Sequence, residues 1–311
     1  MKANEARHRV IAVLLQAGEP LTLGELVARC GLGRGAVARA LEGLVDEALV
    51  ASGNLAGGGR ARQYRWAARW RERARSAAAD SRRAVERAVG AAGAVPPKSL
   101  DVDSPPAEAF HRFIIDVYAP PPEKRFCVFL QCSVRRPFSS SPSHAAMRRG
   151  IAVATGFDPR TERQRCCVHV VVLASRIGPV PYELEETYPA NVGGGGVKHF
   201  RPEHYARVRG VLARRMAEYI AAHAGRYEHM ATFTHGRYGE VMADAARIAG
   251  VELPVFPRPG GARIARMGKS RPRTYWAKCW IQLYQEITGW LTPAQRRQAA
   301  ARLEALDVEF T

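Results

Sequence analysis

From Phe126 to His144 the chain reads FCVFLQCSVRRPFSSSPSH, which gathers a thiol, guanidiniums, hydroxyls and an imidazole into one short stretch. A cysteine close to Arg135 and Arg136 has its thiolate favoured, and a thiolate is a nucleophile toward electrophilic carbon. An imidazole such as His144 can donate a proton to a nitrogen on which charge develops. Arg136 offers a planar fork suited to gripping a phosphate. Ser139 and Ser141 offer hydroxyls that either meet a substrate or simply serve a turn. Further along, Glu183 and Glu186 stand at i and i+3, a spacing that predicts a shared helix face able to orient an amine or act as base. The plain alternative for that pair is a solvated helix start.

These side chains need a scaffold, and the flanking residues predict one. Phe126, Val128, Phe129 and Leu130 form an apolar run that reads as a buried strand of a parallel sheet. Val168 to Leu173 reads as a second such strand, ending in Ala174-Ser175-Arg176, and Tyr227 to Phe233 as a third, followed by His235-Gly236-Arg237-Tyr238. Helical patterns at 145–154 and 202–224 alternate with them. That alternation predicts a parallel sheet with helices on both faces, in which ligands sit at the carboxyl ends of the strands. Ser175 stands at the end of the second strand, and His235, just past the third, reads as a satisfied core histidine as readily as a ligand contact. The run Gly193 to Gly196 lacks a following Gly-Lys-Ser/Thr and is no nucleotide P-loop.

Upstream, residues 1–70 read as a winged helix-turn-helix. The first helix, Glu5 to Ala17, puts Val10, Ile11, Leu14 and Leu15 on one face. Thr22 with Glu25 makes a capping box for Leu23 to Cys30. The turn Gly31-Leu32-Gly33 then leads to a third helix, Arg34 to Asp46, with Arg34 and Arg39 facing outward. Leu49 to Ala51 and Gln63 to Trp66 form a hairpin whose Gly-rich tip carries Arg60 and Arg62. This pattern resembles the winged-helix domains of MarR-like transcription factors. The resemblance implies a third helix in the major groove and a basic tip on phosphates or in the minor groove. Docking to another protein is the competing use of such a module. Residues 71–106 read as an Arg/Ala-rich helix and a Pro-rich linker, the α/β domain as residues 107–250, and residues 251–311 as a basic loop with C-terminal helices.

The formal charge of +18, from 47 Lys and Arg against 29 Asp and Glu, points toward a polyanion. Pro257 to Lys278 carries five arginines, two lysines and no acid. Arg263, Arg266, Lys269, Arg271 and Arg273, with Tyr275 and Trp276 closing the run, suit a phosphate track with stacking platforms. Trp276, Cys279, Trp280, Leu283, Tyr284 and Ile287 share a helix face that reads as core. No apolar run approaches the ~20 residues a membrane helix needs, and the first residues lack a secretory signal. The six cysteines have no paired CxxC spacing, which predicts reduced thiols in a cytoplasm. Cys166-Cys167 with His169 reads as strand rather than metal site, because neighbours on a strand point to opposite faces.

Three pieces of the chain, in order, resemble the core domain of archaeosine synthase, a family that modifies a deazaguanine base in archaeal tRNA. The family motif is Pro-Cys, three residues, Lys-Pro-Tyr, two residues, Ser, two residues, His. This chain has Gln131-Cys132, Arg136-Pro137-Phe138, Ser141 and His144 at the same spacing. Cys132, Pro137, Ser141 and His144 match, whereas Gln131, Arg136 and Phe138 depart. The other pieces are GPVPYELEETYPA (Gly178 to Ala190) and the turn at His235 to Tyr238. The resemblance implies a three-layer α/β/α sandwich related to uracil-DNA glycosylases, with the winged helix at its N-terminal side. It implies addition of the amine of free lysine to the nitrile of 7-cyano-7-deazaguanine in tRNA, giving an amidine. The winged helix pulls toward DNA as the polymer, another amine could take the place of lysine, and no cofactor is expected. Cys132, His144, Glu183 and Glu186 would be the catalytic set, and Arg136, Ser139, Ser141, Ser175, His235 and Tyr238 the substrate contacts. Partners would be the nucleic acid, the amine, and a second copy or partner enzyme, without a membrane. Phe138 lacks the family's tyrosine hydroxyl, which opens an alternative: a winged-helix transcription regulator whose α/β domain senses a deazapurine or nucleotide.

Overall fold

The structure, a computed structural model, describes residues 3–17, 20–46, 50–53, 62–66, 83, 85–87, 89–90 and 100–311. The chain divides into two compact units, Met1–Asp80 and Ser81–Thr311. In the first, α1 (Ala3–Ala17), β1 (Leu21–Thr22), α2 (Leu23–Cys30) and α3 (Arg34–Asp46) precede a hairpin of β2 (Val50–Gly53) and β3 (Gln63–Trp66). Thr22 caps α2 through its hydroxyl, which accepts from the Glu25 amide, and Glu25 accepts from the Thr22 amide at 2.7 Å. Val10, Leu14, Leu26, Val37, Leu41 and Leu44 bury together, as their helical spacing requires. β1 adds a short third strand, because Leu21 and Thr22 pair antiparallel with Tyr64 and Gln63.

The second unit contains α4 (Pro105–Asp116), β4 (Phe126–Gln131), α5 (Pro142–Thr155), β5 (Val168–Ala174), β6 (Gly178–Pro181), α6 (Pro202–His223) and β7 (His229–Phe233). It continues through α7 (Arg237–Ala249), β8 (Val255–Phe256), β9 (Ile264–Met267), α8 (Tyr275–Trp290), α9 (Pro293–Glu304) and β10 (Val308–Phe310). Five strands form one sheet in the order β6-β5-β4-β7-β8. β4, β5, β7 and β8 run parallel, and the apolar residues of β4 and β5 are buried on both faces, which is why these two strands read as continuous hydrophobic runs.

One strand departs from the all-parallel expectation. β6 pairs antiparallel with β5, since the turn Ser175–Ile177 is too short for a crossover. Pro179 and Pro181, which lack an N–H, are accommodated there because β6 is the sheet edge. The helices fall into two packed sets, α4-α6-α7 and α5-α8-α9. α5 approaches α8 closely at Gly150, where a Cβ would stand 2.8 Å from the Trp280 carbonyl oxygen. Residues 251–311 belong to the same compact unit as the sheet, and Cys279, Trp280, Leu283 and Ile287 lie in its core. The basic run is therefore no continuous loop. β9 pairs antiparallel with β10, and Arg266 forms ion pairs with Asp307 and Glu309.

At the amino end of the sheet a polar network is buried. His169, beside Cys127 across the β4-β5 pair, lies 3.2 Å from the Glu183 carboxylate and 2.6 Å from the Tyr227 hydroxyl. Tyr227 meets Tyr219 at 2.9 Å, and Tyr118 donates to Glu183. Burial alone raises the Glu183 pKa, but the His169 charge and the hydrogen bonds from His169 and Tyr118 outweigh it and hold the value at about 2. A depressed carboxylate pKa stabilises the fold above the unfolded value of 4.5, and this is lost as pH falls through about 2. The expected loss is on the order of 3 kcal/mol. Urea melts across that acid range should show Glu183→Gln with a flatter stability profile than the parent; parallel profiles would refute the linkage.

Candidate active site at the carboxyl end of the sheet

Cys132 follows the last residue of β4, Ser175 follows the last residue of β5, and Tyr238 opens α7 just past β7. The parallel sheet thus delivers three side chains, distant in sequence, to one point. The Cys132 sulfur lies 2.9 Å from the Ser175 hydroxyl and 2.8 Å from the Tyr238 hydroxyl, and the two hydroxyls are 2.8 Å apart. Ser175 Oγ accepts from the Val197 amide at 3.2 Å, so its own hydrogen can point to the sulfur. Burial, followed by the proximity of Cys132, drives the Tyr238 pKa far up, and this phenol stays protonated. A sulfur anion here would find two O–H donors in place of water.

Beside the thiol runs a cleft holding about 10 Å³, the room of one water. Arg136, Ser175, Arg176 and the glycine segment 193–196 border it through Gly194 and Gly195. The Arg136 guanidinium stacks on the Phe138 ring at 3.9 Å and donates to the Ala190 carbonyl at 3.1 Å. Burial lowers its pKa, while Cys132, Tyr238 and Glu185 nearby favour its charge. Gly196 is sterically required, because a Cβ there would lie 2.6 Å from the Tyr238 hydroxyl.

Several expected participants have other employment. His144 is fully buried, with Nε2 donating to the Gln131 carbonyl at 2.9 Å. A carbonyl only accepts, so Nε2 carries the hydrogen, and neutral Nδ1 accepts from the Tyr182 hydroxyl at 2.6 Å. Burial, opposed by the Gln131 bond, pulls the His144 pKa down to about 3. Both ring nitrogens are thus occupied beneath the strand end. Ser141 caps α5 by accepting from the His144 amide, and Ser139 is buried with its hydroxyl and amide on Glu185 at 2.5 and 2.8 Å. Glu183 and Glu186 do not share a helix face. Only a single 3-10 turn, Tyr182–Leu184, forms there, which sends Glu183 into the amino-end network and leaves Glu186 exposed.

Arg176 and Glu185 were not among the expected site residues. Arg176 carried the same signal as Ser175, a polar residue at the end of an apolar strand. Glu185 was hidden by the helical spacing assigned to its neighbours.

His235 is exposed just past β7, with its amide on the Gln131 side chain and its ring 5.1 Å from Tyr275 and 5.8 Å from Trp276. The aromatic end of the basic run therefore lies next to the strand end that carries Cys132. Arg263, Lys269, Arg271 and Arg273 are exposed, whereas Arg266 is held by its two carboxylates. In the first unit Arg34 and Arg39 are exposed on α3, and Arg62 donates to Ser52 at 2.7 Å. Arg60 lies outside the described residues. No helix among the described residues is long and apolar enough to cross a membrane.

Residues 107–256 match the family model of a domain of unknown function, DUF5591, and residues 8–52 match the IclR helix-turn-helix domain. Archaeosine synthase subunit alpha of Methanosarcina acetivorans is 32% identical over 145 residues, 46% of this chain and 20% of that protein. Archaeosine synthase subunit alpha of Thermoplasma acidophilum is 31% identical over 90 residues, 29% of this chain and 16% of that protein. The chain thus covers no more than about a fifth of the length of these relatives. A crystal structure of AF0587, a protein of unknown function, aligns at a TM-score of 0.35 and 18% identity over 61% of this chain and 53% of that one, too distant to carry an argument. The chain is a fusion of an IclR-type helix-turn-helix domain, a winged helix, with a DUF5591 region homologous to part of archaeosine synthase.

Proposed function

We propose that the α/β unit modifies a nitrile-bearing 7-deazaguanine in a nucleic acid, tRNA or DNA, and that the winged helix and basic segments hold the polymer. The observation that carries this reading is the Cys132 sulfur set between the Ser175 and Tyr238 hydroxyls at the carboxyl end of the central sheet. In the reaction, the Cys132 thiolate adds to the nitrile carbon while Tyr238 gives its proton to the nitrile nitrogen, forming a thioimide. An amine, from lysine or another donor, then adds to the same carbon. Its proton returns to Tyr238, the C–S bond breaks, and the thiolate leaves an amidine. Tyr238 supplies the hydroxyl that Phe138 lacks, and His144 acts by fixing the Gln131 carbonyl beneath the thiol. A three-layer sandwich related to uracil-DNA glycosylases agrees with the two packed helix sets.

On the nucleic-acid side, Arg34, Arg39, Arg62, Lys269, Arg271 and Arg273 would meet phosphates, with His235 and Tyr275 as stacking surfaces. A base in a duplex would have to flip out to reach Cys132. The test is mass spectrometry of nucleosides from tRNA and DNA that carry 7-cyano-7-deazaguanine, after incubation with the protein and lysine. The expected result is a nucleoside heavier by one lysine. The IclR-type match favours one other reading, a regulator that senses a deazapurine, and no mass shift in either pool would leave that reading standing.

A further inference from the structure

Arg136 and Arg176 line the same cleft from different strand ends, one after β4 and the other after β5. Among the described residues neither guanidinium has an ion-pair partner. Arg136 donates to main-chain carbonyls, those of Ala190 at 3.1 Å and Arg135 at 3.3 Å among them, and Arg176 donates to the Leu100 carbonyl. Arg176 Nε is sealed from solvent with no hydrogen-bond acceptor. A buried guanidinium N–H without a protein acceptor is unusual, and an anionic oxygen is the acceptor it suits best. The glycine segment packs directly against this group, for a Cβ on Gly194 would lie 2.8 Å from Arg176 Nε. Among the described residues the amides of Gly193, Gly194 and Gly195 donate to no protein acceptor. Two guanidiniums that have no ion-pair partner among the described residues, and the glycine segment through Gly194 and Gly195, therefore border one small space beside Ser175.

We propose that Arg136 and Arg176 form a phosphate subsite beside Cys132, so that this unit takes its base as a nucleotide and reads the phosphate together with the ring. The proposal rests on the base-modification reading above and names the ligand class more closely. Planar guanidiniums suit a phosphate, and among the described residues Arg136 Nη2 and Arg176 Nε and Nη2 are the N–H groups that donate to no protein acceptor. Because the cleft as it stands holds only one water, the phosphate enters by displacing the glycine segment, which has no side chains to obstruct it. The phosphate belongs to a free nucleotide or to a polynucleotide backbone, and both present the same oxygens.

The experiment is isothermal titration of the full chain, and of Arg176→Ala and Arg176→Lys, with four probes. These are inorganic phosphate, 7-cyano-7-deazaguanosine, its 5′-monophosphate, and a trinucleotide with that residue in the centre. The parent should bind the monophosphate about tenfold or more tightly than the nucleoside. Arg176→Ala should collapse the two affinities to within about twofold, and Arg176→Lys, which keeps charge but not the fork, should restore part of the gap. Trinucleotide binding with the same Arg176 dependence supports a polymer phosphate, and its refusal beside tight monophosphate binding supports a free nucleotide. Equal parent affinities for nucleoside and monophosphate would overturn the subsite while leaving the base reading intact. If neither base-bearing ligand binds, yet inorganic phosphate binding weakens in Arg176→Ala, the subsite holds and the base reading falls. Phosphate and nucleotide binding that ignores Arg176 overturns the subsite.

Discussion

Cys132→Ser is expected to lower amidine formation by on the order of 10³-fold or more, with nucleic-acid binding unchanged. The substitution is nearly isosteric at a buried position, so the side chain keeps both hydroxyl neighbours and the fold is undisturbed. What is lost is the sulfur nucleophile, for which an alcohol in the same place is a poor substitute. Tyr238→Phe should fall between serine and parent, because the thiol remains and only the proton donor for the nitrile nitrogen is gone. The check is single-turnover mass spectrometry beside a gel-shift titration with the same RNA or DNA. A Cys132→Ser protein that keeps more than about a tenth of the parent rate would move the nucleophile elsewhere.

His144→Ala is expected to act on stability before it acts on chemistry. The ring is fully buried, stacks near Phe138 at 6.2 Å, and satisfies both the Gln131 carbonyl and the Tyr182 hydroxyl. Removing it leaves two buried polar groups unpaired and a cavity under the strand end, a loss of about 2–4 kcal/mol. The pKa of about 3 adds a second readout, because a group already neutral at pH 5 gives no limb to a rate profile above that pH. Denaturant melts and a pH-rate profile of the parent decide the matter together. Unchanged stability with activity lost, and a parent limb near pH 6 that the variant lacks, would return His144 to the reacting groups.

The elements of both units were legible because their signals are local. A capping box at Thr22 and Glu25, glycine at Gly31 with φ 62°, and apolar residues at helical spacing define α2 and its neighbours from sequence. The buried strands β4 and β5 announce themselves as short apolar runs, since both faces of an inner parallel strand are covered. The edge strand β6 was not legible, because a Pro-rich tetrapeptide carries no strand signal and joins the sheet only where β5 offers a free edge.

The sequence by itself determined which residue types stand at the strand ends: a thiol after β4, a hydroxyl and a guanidinium after β5, a phenol past β7. Only the tertiary structure decided which of them meet. Parallel pairing in register aligns the carboxyl ends of β4, β5 and β7, and this places Cys132, Ser175 and Tyr238 within 3 Å of one another across more than a hundred residues of chain. The same packing turned His144 inward and sent Glu183 to the opposite end of the sheet, because a buried imidazole or carboxylate goes where its hydrogen bonds can be met. Spacing along a chain says which groups could be neighbours, and burial with its demand for satisfied polar atoms selects those that are.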